Sequence, residues 1–182
     1  MLIDEFLSEY DFEETHDISI HADAADIYRA ANAVDFSESA IIRWLMRLRG
    51  MSVGDLTLKN LGKFKFEMLG ETLNREMVIG LVGKFWTIGG GLKKIEAESF
   101  KKFDTAGYAK AVWNFSLAED GANTRLTTET RIKCLDDESR RSFGFYWILI
   151  QPFSGLIRTE MLKTIKRKAE LSEPGAVATG FF

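Results

Sequence analysis

Residues 143–170 read FGFYWILIQPFSGLIRTEMLKTIKRKAE. The first eight are almost wholly apolar, and beyond Pro152 the pattern turns amphipathic and basic. Eight apolar residues are less than half of the ~18–20 that a membrane-spanning helix needs. The segment therefore reads as a long helix that buries itself in protein. Asp136 or Asp137 caps it. At ~1.5 Å per residue over roughly thirty residues it can cross a whole sheet. Being apolar on most sides around 143–150, it needs a sheet and neighbouring segments about it. Further on, Phe153, Leu156, Ile157, Met161 and Ile165 form an inward stripe, with Arg158, Lys163, Lys166 and Arg167 outward. Pro152 removes one helical hydrogen bond and is expected to bend the helix.

The partner of this helix is legible upstream. In DFEETHDISIHA (11–22), Phe12, Glu14, His16, Ile18 and Ile20 share one strand face, and Asp11, Glu13, Thr15, Asp17, Ser19 and His21 the other. Before it, Leu2, Ile3, Phe6, Leu7 and Tyr10 recur at helical spacing. After it, Asp23 caps a helix with Ile27, Ala30, Ala31 and Val34 inward. Ser37 opens a second short helix ended by Gly50, with Ile41, Ile42, Leu45 and Leu48 or Met46 facing the protein.

From about residue 63 the period becomes two. Phe64, Phe66 and Met68 alternate with Lys63, Lys65 and Glu67. A turn at Leu73–Asn74 leads into a further strand, and Gly89–Gly91 opens a loop. Residues 92–103 read as a strand. Ala111, Trp113, Phe115 and Leu117 alternate with Lys110, Val112, Asn114 and Ser116. Asp120-Gly121 makes a hairpin turn. Leu126, Thr128, Thr130, Ile132 and Cys134 then share one face of the last strand. Contiguous strands joined by tight turns imply an antiparallel meander with one buried face, closed by the final helix. The expected fold is α+β, with an antiparallel sheet around a long C-terminal helix and two short helices after strand one.

Composition supports this. A chain of 182 residues, 46% hydrophobic and 28% charged, suits one soluble domain with a real core. That domain is expected to run over 1–170, with 171–182 a flexible tail. One cysteine, Cys134, excludes an intrachain disulfide, and with only two histidines no structural zinc site and no cofactor is expected. The acidic start carries no basic leader and no span reaches bilayer length, so the expected location is cytoplasmic. Residues 1–40 hold eleven Asp/Glu and one Arg; the remainder holds sixteen acidic and twenty-three basic residues. The two parts neutralise each other, or the basic part meets an anionic partner. A pI near 5.5 disfavours nucleic acid.

DISIHADAADIYRAANAVD (17–35), with its strand, short Ala turn and helix bearing Tyr28, resembles the opening of the START-like, or SRPBCC, helix-grip superfamily. The likeness continues through AKAVWNFSLAEDGANTRLTTETRI (109–132) and the closing helix to about Glu170. It implies an antiparallel sheet wrapped around the last helix and a mostly apolar cavity. The polyketide cyclase/dehydrase and lipid transport-like branch is the nearest. No catalytic motif carries over, and no metal-centre motif of the ring-hydroxylating members is present.

The expected partner is a small hydrophobic or amphipathic ligand, lipid-like or polyketide-like, held inside. Among the aromatics, Trp113, Tyr146 and Phe153 are the first candidates for the cavity wall, with Phe66, Trp86 and Trp44 beside them. Glu14, His16, Thr128 and Thr130 point the same way as the apolar set and must pair, meet water or meet a ligand. His16 beside a carboxylate suits general acid–base work in a cyclase or dehydratase; otherwise the two only solvate a strand end. Arg43 and Arg47, near the family's cavity mouth, suit a carboxylate or phosphate, or form a solvated face. Glu129 and Arg131 read as surface partners of little weight. The glycines at 80, 83 and 89–91 build no phosphate loop, and no GxSxG occurs. The acidic start and apolar final helix also suit a homodimer.

Overall fold

The structure is a computed structural model that describes residues 1–40, 42–44, 57–58, 60, 62, 65–87 and 90–171. The elements run α1 (Leu2–Phe6), β1 (Phe12–Ile20), α2 (Ala24–Ala33), a 3-10 turn (Phe36–Glu38), β2 (Glu67–Thr72), β3 (Glu76–Gly83), α3 (Ala97–Lys102), β4 (Ala109–Asp120), β5 (Asn123–Cys134) and α4 (Asp137–Leu171). One antiparallel sheet holds the strands in the order β1-β5-β4-β3-β2. The strands β2 to β5 form the expected meander, and β1 joins at its far edge beside β5. The turns are made by residues that tolerate positive φ: Asn74 (58°) between β2 and β3, and Gly121 (66°) in the two-residue loop between Asp120 and Asn123.

The alternating pattern of β1, β4 and β5 builds the inner face. Ile20, Met77, Ile79, Phe115 and Leu126 pack there with Ile27 and Ala31 of α2 and with Leu162, Ile165 and Ala169 of α4. The 35-residue α4, about 50 Å long, lies along β1 and β5 and against α2. This is the helix-grip fold. Pro152 sits inside α4 without ending it.

The outer face is also buried, against the expectation of a one-sided sheet. Every position of β3 is buried. Val78, Val82 and Val112 point outward and are covered by Ile3 and Leu7 of the N-terminal segment and by Phe100 of α3. An unbroken apolar run such as Met77–Val82 is the mark of a strand covered on both faces. The cover itself corrects a second expectation. Residues 92–103 are not a strand: α3 occupies the centre, because Ile95, Phe100 and Phe103 reach one sheet face only from a helical turn. Lys93 contributes a single bridge to Val82.

Under α1, Glu129 and Arg131 are a buried pair rather than a surface one. Arg131 donates Nε to Glu129 and Nη1 to Asp4 Oδ1 (2.7 Å) and to the Leu7 carbonyl (3.0 Å). Glu76 accepts from the backbone of Leu2 (2.7 Å) and Ile3 (3.2 Å), where the N–H groups of a helix start lack partners.

Three further expectations shift. Strand β2 begins only at Glu67, after Lys65 at φ 64°, and a bulge between Met68 and Gly70 turns Leu69 onto the outer face. The second short helix starts later than Ser37, which belongs to the 3-10 turn held by the Asp35 carboxylate; Ala40 and 42–44 are helical. The expected contacts of Ile41, Leu45, Met46, Arg47 and Leu48, the stop at Gly50, the strand positions Lys63 and Phe64, Gly89, and the tail after Leu171 lie outside the described residues. Finally, α4 is not wrapped on most sides around 143–150. Phe145, Ile148 and Leu149 are 69–79% exposed, and Leu156, expected inward, is 54% exposed. Spaced at three, four and seven residues, they form one outward stripe.

Two outcomes test this frame. Arg131→Ala is expected to cost about 3–5 kcal/mol in urea unfolding, because it leaves Glu129 buried and unpaired. A loss under about 1 kcal/mol would mean that the outer face is wet. The second concerns the start of α4. Asp136 accepts from Ser139 N (2.8 Å), Ser139 Oγ (2.7 Å) and Gly107 N. These bonds hold its carboxyl down at about 2. Folding therefore favours the ionised form: the stabilisation is complete above about pH 4 and is lost as pH falls toward 2. Melting temperatures across that window should fall less steeply for Asp136→Asn than for the native chain.

Candidate ligand-binding site

Strand register assembles one polar patch on the inner face. Glu14 lies level with Thr130 and His16 with Thr128. Trp113 lies level with Thr130, and Ile79 with Trp113. One row across the sheet thus reads Glu14, Thr130, Trp113, Ile79, and the next begins His16, Thr128. Residues directly opposite share a face, so these side chains stand together. Apolar pairs close the patch on either side, Phe12 with Ile132 and Ile18 with Leu126.

Helix α4 covers the patch at Gly155. A Cβ there would stand 2.9 Å from Glu14 Oε1 and 3.4 Å from the His16 ring, so the absent side chain is what lets the helix lie against them. His16 Nε2 is 3.0 Å from Glu14 Oε1. The Glu14 side chain is 8% exposed, and that of His16 is 29% exposed. One turn beyond Gly155, the Arg158 guanidinium stands 4.5 Å from the centre of the Trp113 ring. Burial pushes Arg158 down to about 10, with the Glu14 carboxylate pulling the other way. No carboxylate lies within ion-pair distance of it among the described residues.

The patch is short of partners. Glu14 Oε2, Trp113 Nε1 and Thr128 Oγ1 are buried, and among the described residues no partner accepts from or donates to them. A buried polar atom in that state costs about 1–3 kcal/mol, and native interiors hold few of them. Beside the patch the Phe66 ring meets Trp113 edge-on at 5.1 Å. Phe66 and Ile79 also line a cleft of about 290 Å³ with Asn32, Leu58 and Met68. Glu67 lines it as well, and Phe66 joins this cleft to the Trp113 ring.

Of the residues singled out in the sequence, Glu14, His16, Trp113, Thr128, Thr130 and Phe66 come together here. Tyr146 and Trp86 do not: they pack around Phe143 with Phe12, Phe85 and Trp147, nearer the start of α4. Phe153 is half-buried on α4. Arg43 gives its guanidinium to the carbonyls of Ser37 (2.8 Å) and Glu38 (3.1 Å). Trp44 is 60% exposed. Cys134 is a free, buried thiol, and burial pushes it up to about 12.

Sequence reasoning missed Gly155 and placed Arg158 outward. The signal was present. Arg158 lies three residues before Met161 and seven before Ile165, hence on their side of the helix. Its charge, not its spacing, argued for solvent.

Thr128→Val tests the deficit of partners directly. It removes an unbonded buried hydroxyl at equal volume, so the free protein is expected to gain about 1 kcal/mol in unfolding free energy. A loss of that size would show that Oγ1 has a partner in solution.

No family model matches the chain, and no curated protein does. Several solved structures are similar in chain path. TTHA0849 from Thermus thermophilus is 11% identical at a TM-score of 0.39, over 89% of this chain and 99% of its own. Ara h 8.0201 is 12% identical at 0.33, over 88% and 99%. The Zhui aromatase/cyclase from a Streptomyces species is 12% identical at 0.32, over 92% and 99%. Nothing about the site rests on these likenesses. The strand order β1-β5-β4-β3-β2, with α4 laid along β1 and β5, is a helix grip.

Proposed function

We propose that the chain binds a small hydrophobic or amphipathic molecule, lipid-like or polyketide-like, between the sheet and α4. One observation carries the reading: among the described residues, three buried polar atoms lack partners beside the Arg158 guanidinium and the Trp113 ring, and Phe66 joins that ring to a cleft. A core built only for stability gains nothing from such a patch. A ligand whose polar end enters it and whose apolar body lies along Trp113 and Phe66 satisfies both surfaces at once.

Titration with the apolar fluorophore N-phenyl-1-naphthylamine, followed by native mass spectrometry of freshly purified protein, checks this. The expected result is saturable binding of one probe, competed by a co-purified lipid or by added long-chain lipid. No probe uptake, together with a clean apoprotein mass, would overturn it.

The Glu14–His16 contact favours a second reading, a cyclase or dehydratase. A carboxylate that holds an imidazole at 3.0 Å suits proton transfer. His16→Ala separates the two: binding alone predicts probe affinity within about twofold of native, whereas catalysis predicts loss of turnover on a polyketide-like substrate with binding intact. The homodimer reading draws on the exposed stripe of Phe145, Ile148, Leu149 and Leu156 and predicts concentration-dependent association in sedimentation; a strict monomer would end it.

A further inference from the structure

We propose that the polar end of the ligand is a carboxylate and that Arg158 receives it. This rests on the interior-site reading and names the ligand class for that site.

The argument is a census of donors and acceptors. Arg158 offers five N–H donors in a planar fork, and no side-chain or backbone oxygen of the described residues accepts from them. Trp113 Nε1 is a buried donor without a partner, and Thr128 Oγ1 is a buried hydroxyl without one. Against these stand two acceptors, Glu14 Oε2 and the lone pairs of the same Thr128 hydroxyl, fewer than the donors that the Arg158 fork and the indole present. The other Glu14 oxygen is engaged by His16. The unmet demand is therefore mainly for acceptor oxygens. A neutral alcohol brings one oxygen and one proton, which leaves most of the fork unpaired. A carboxylate brings two oxygens at the spacing of the guanidinium fork.

Charge narrows the class further. Among the described residues Arg158 is the one cation packed on Trp113, and the Glu14 carboxylate faces the same space from β1. One positive charge suits one negative charge. A phosphate near its second ionisation would place nearly twice the charge beside Glu14 and have only one guanidinium to meet it. Position decides the rest. The guanidinium stands over the indole face, and Phe66 meets that indole on the way to the cleft. A carboxylate on Arg158 therefore points an attached chain along Trp113 and Phe66 toward Leu58 and Met68. The class that fits is an amphipathic monocarboxylic acid, with a single acid group at one end of an alkyl or aryl-alkyl body.

Displacement of N-phenyl-1-naphthylamine by decanoate, decanol and decyl phosphate at pH 7 tests this. These share a tail and differ in head. In the native chain decanoate is expected to bind about tenfold or more tighter than decanol, and tighter than decyl phosphate. Arg158→Gln should remove that preference while decanol and the probe stay within about threefold of native. Glu14→Gln should tighten decanoate relative to decanol, a change of preference that a merely structural role would not produce. Equal binding of decanoate and decanol by the native chain would overturn the assignment, and that comparison needs no variant to fold. Tighter binding of decyl phosphate would overturn the carboxylate in favour of phosphate. Equal loss of decanoate and decanol in a folded Arg158→Gln would make the residue structural and would also overturn it. Failure of the native chain to take up the probe or any of the three would instead sink the interior-site reading.

Discussion

The antiparallel register of β1 on β5 is the constraint on which the site depends. It sets Glu14 beside Thr130 and His16 beside Thr128, under the helix rather than in water. A slip of one residue would send Glu14 and His16 to solvent and turn Glu13, Thr15 and Asp17 inward. The apolar ends of the strand oppose that slip. Ile20 is fully buried in the main core, and Phe12 packs edge-on against Phe143 at 5.0 Å. Good packing at both ends thus holds a polar middle in place, and Gly155 lets the helix close over it.

The outer face shows how the same sheet can be covered twice. Val78, Val82 and Val112 are buried beneath α1 and α3, two helices of five and six residues. Helices so short gain little from their own hydrogen bonds. The N-terminal one is tied down by Glu76 and Arg131, which reach its backbone, its Asp4 and the Leu7 carbonyl. On this face the buried charges have partners. On the inner face Glu14 Oε2 and Thr128 Oγ1 find none among the described residues, and the half-buried Arg158 lies on the Trp113 ring without an ion pair there. That contrast separates a structural network from a receptive surface.

Much of this architecture was legible in residue patterns. The period of two along β1, β4 and β5 told which side chains share a face, and the same alternation put Glu14, His16, Trp113, Thr128 and Thr130 on one side. The misreadings have a common cause. Residues 92–103 carry apolar groups whose spacing suits a strand or a short helix, and the neighbouring sheet face chose the helix. Glu129 and Arg131 looked solvated because their cover comes from the other end of the chain. Arg158 looked exposed because charge usually prefers water, although its helical position matched Met161 and Ile165. Phe145, Ile148 and Leu149 looked buried because apolarity usually implies a neighbour.

Sequence alone determined most of the strands, the inner face of β1, β4 and β5 and the closing helix, because side-chain alternation, turn residues and helix caps act within a few residues of each other. It also determined that polar groups would stand among the apolar ones of the inner face. Only the tertiary structure decided which of them lack partners, that Arg158 turns onto Trp113, and that Gly155 meets Glu14 and His16. Those facts depend on contacts between segments up to about 140 residues apart, and no local pattern encodes whether a buried donor finds an acceptor across such a distance.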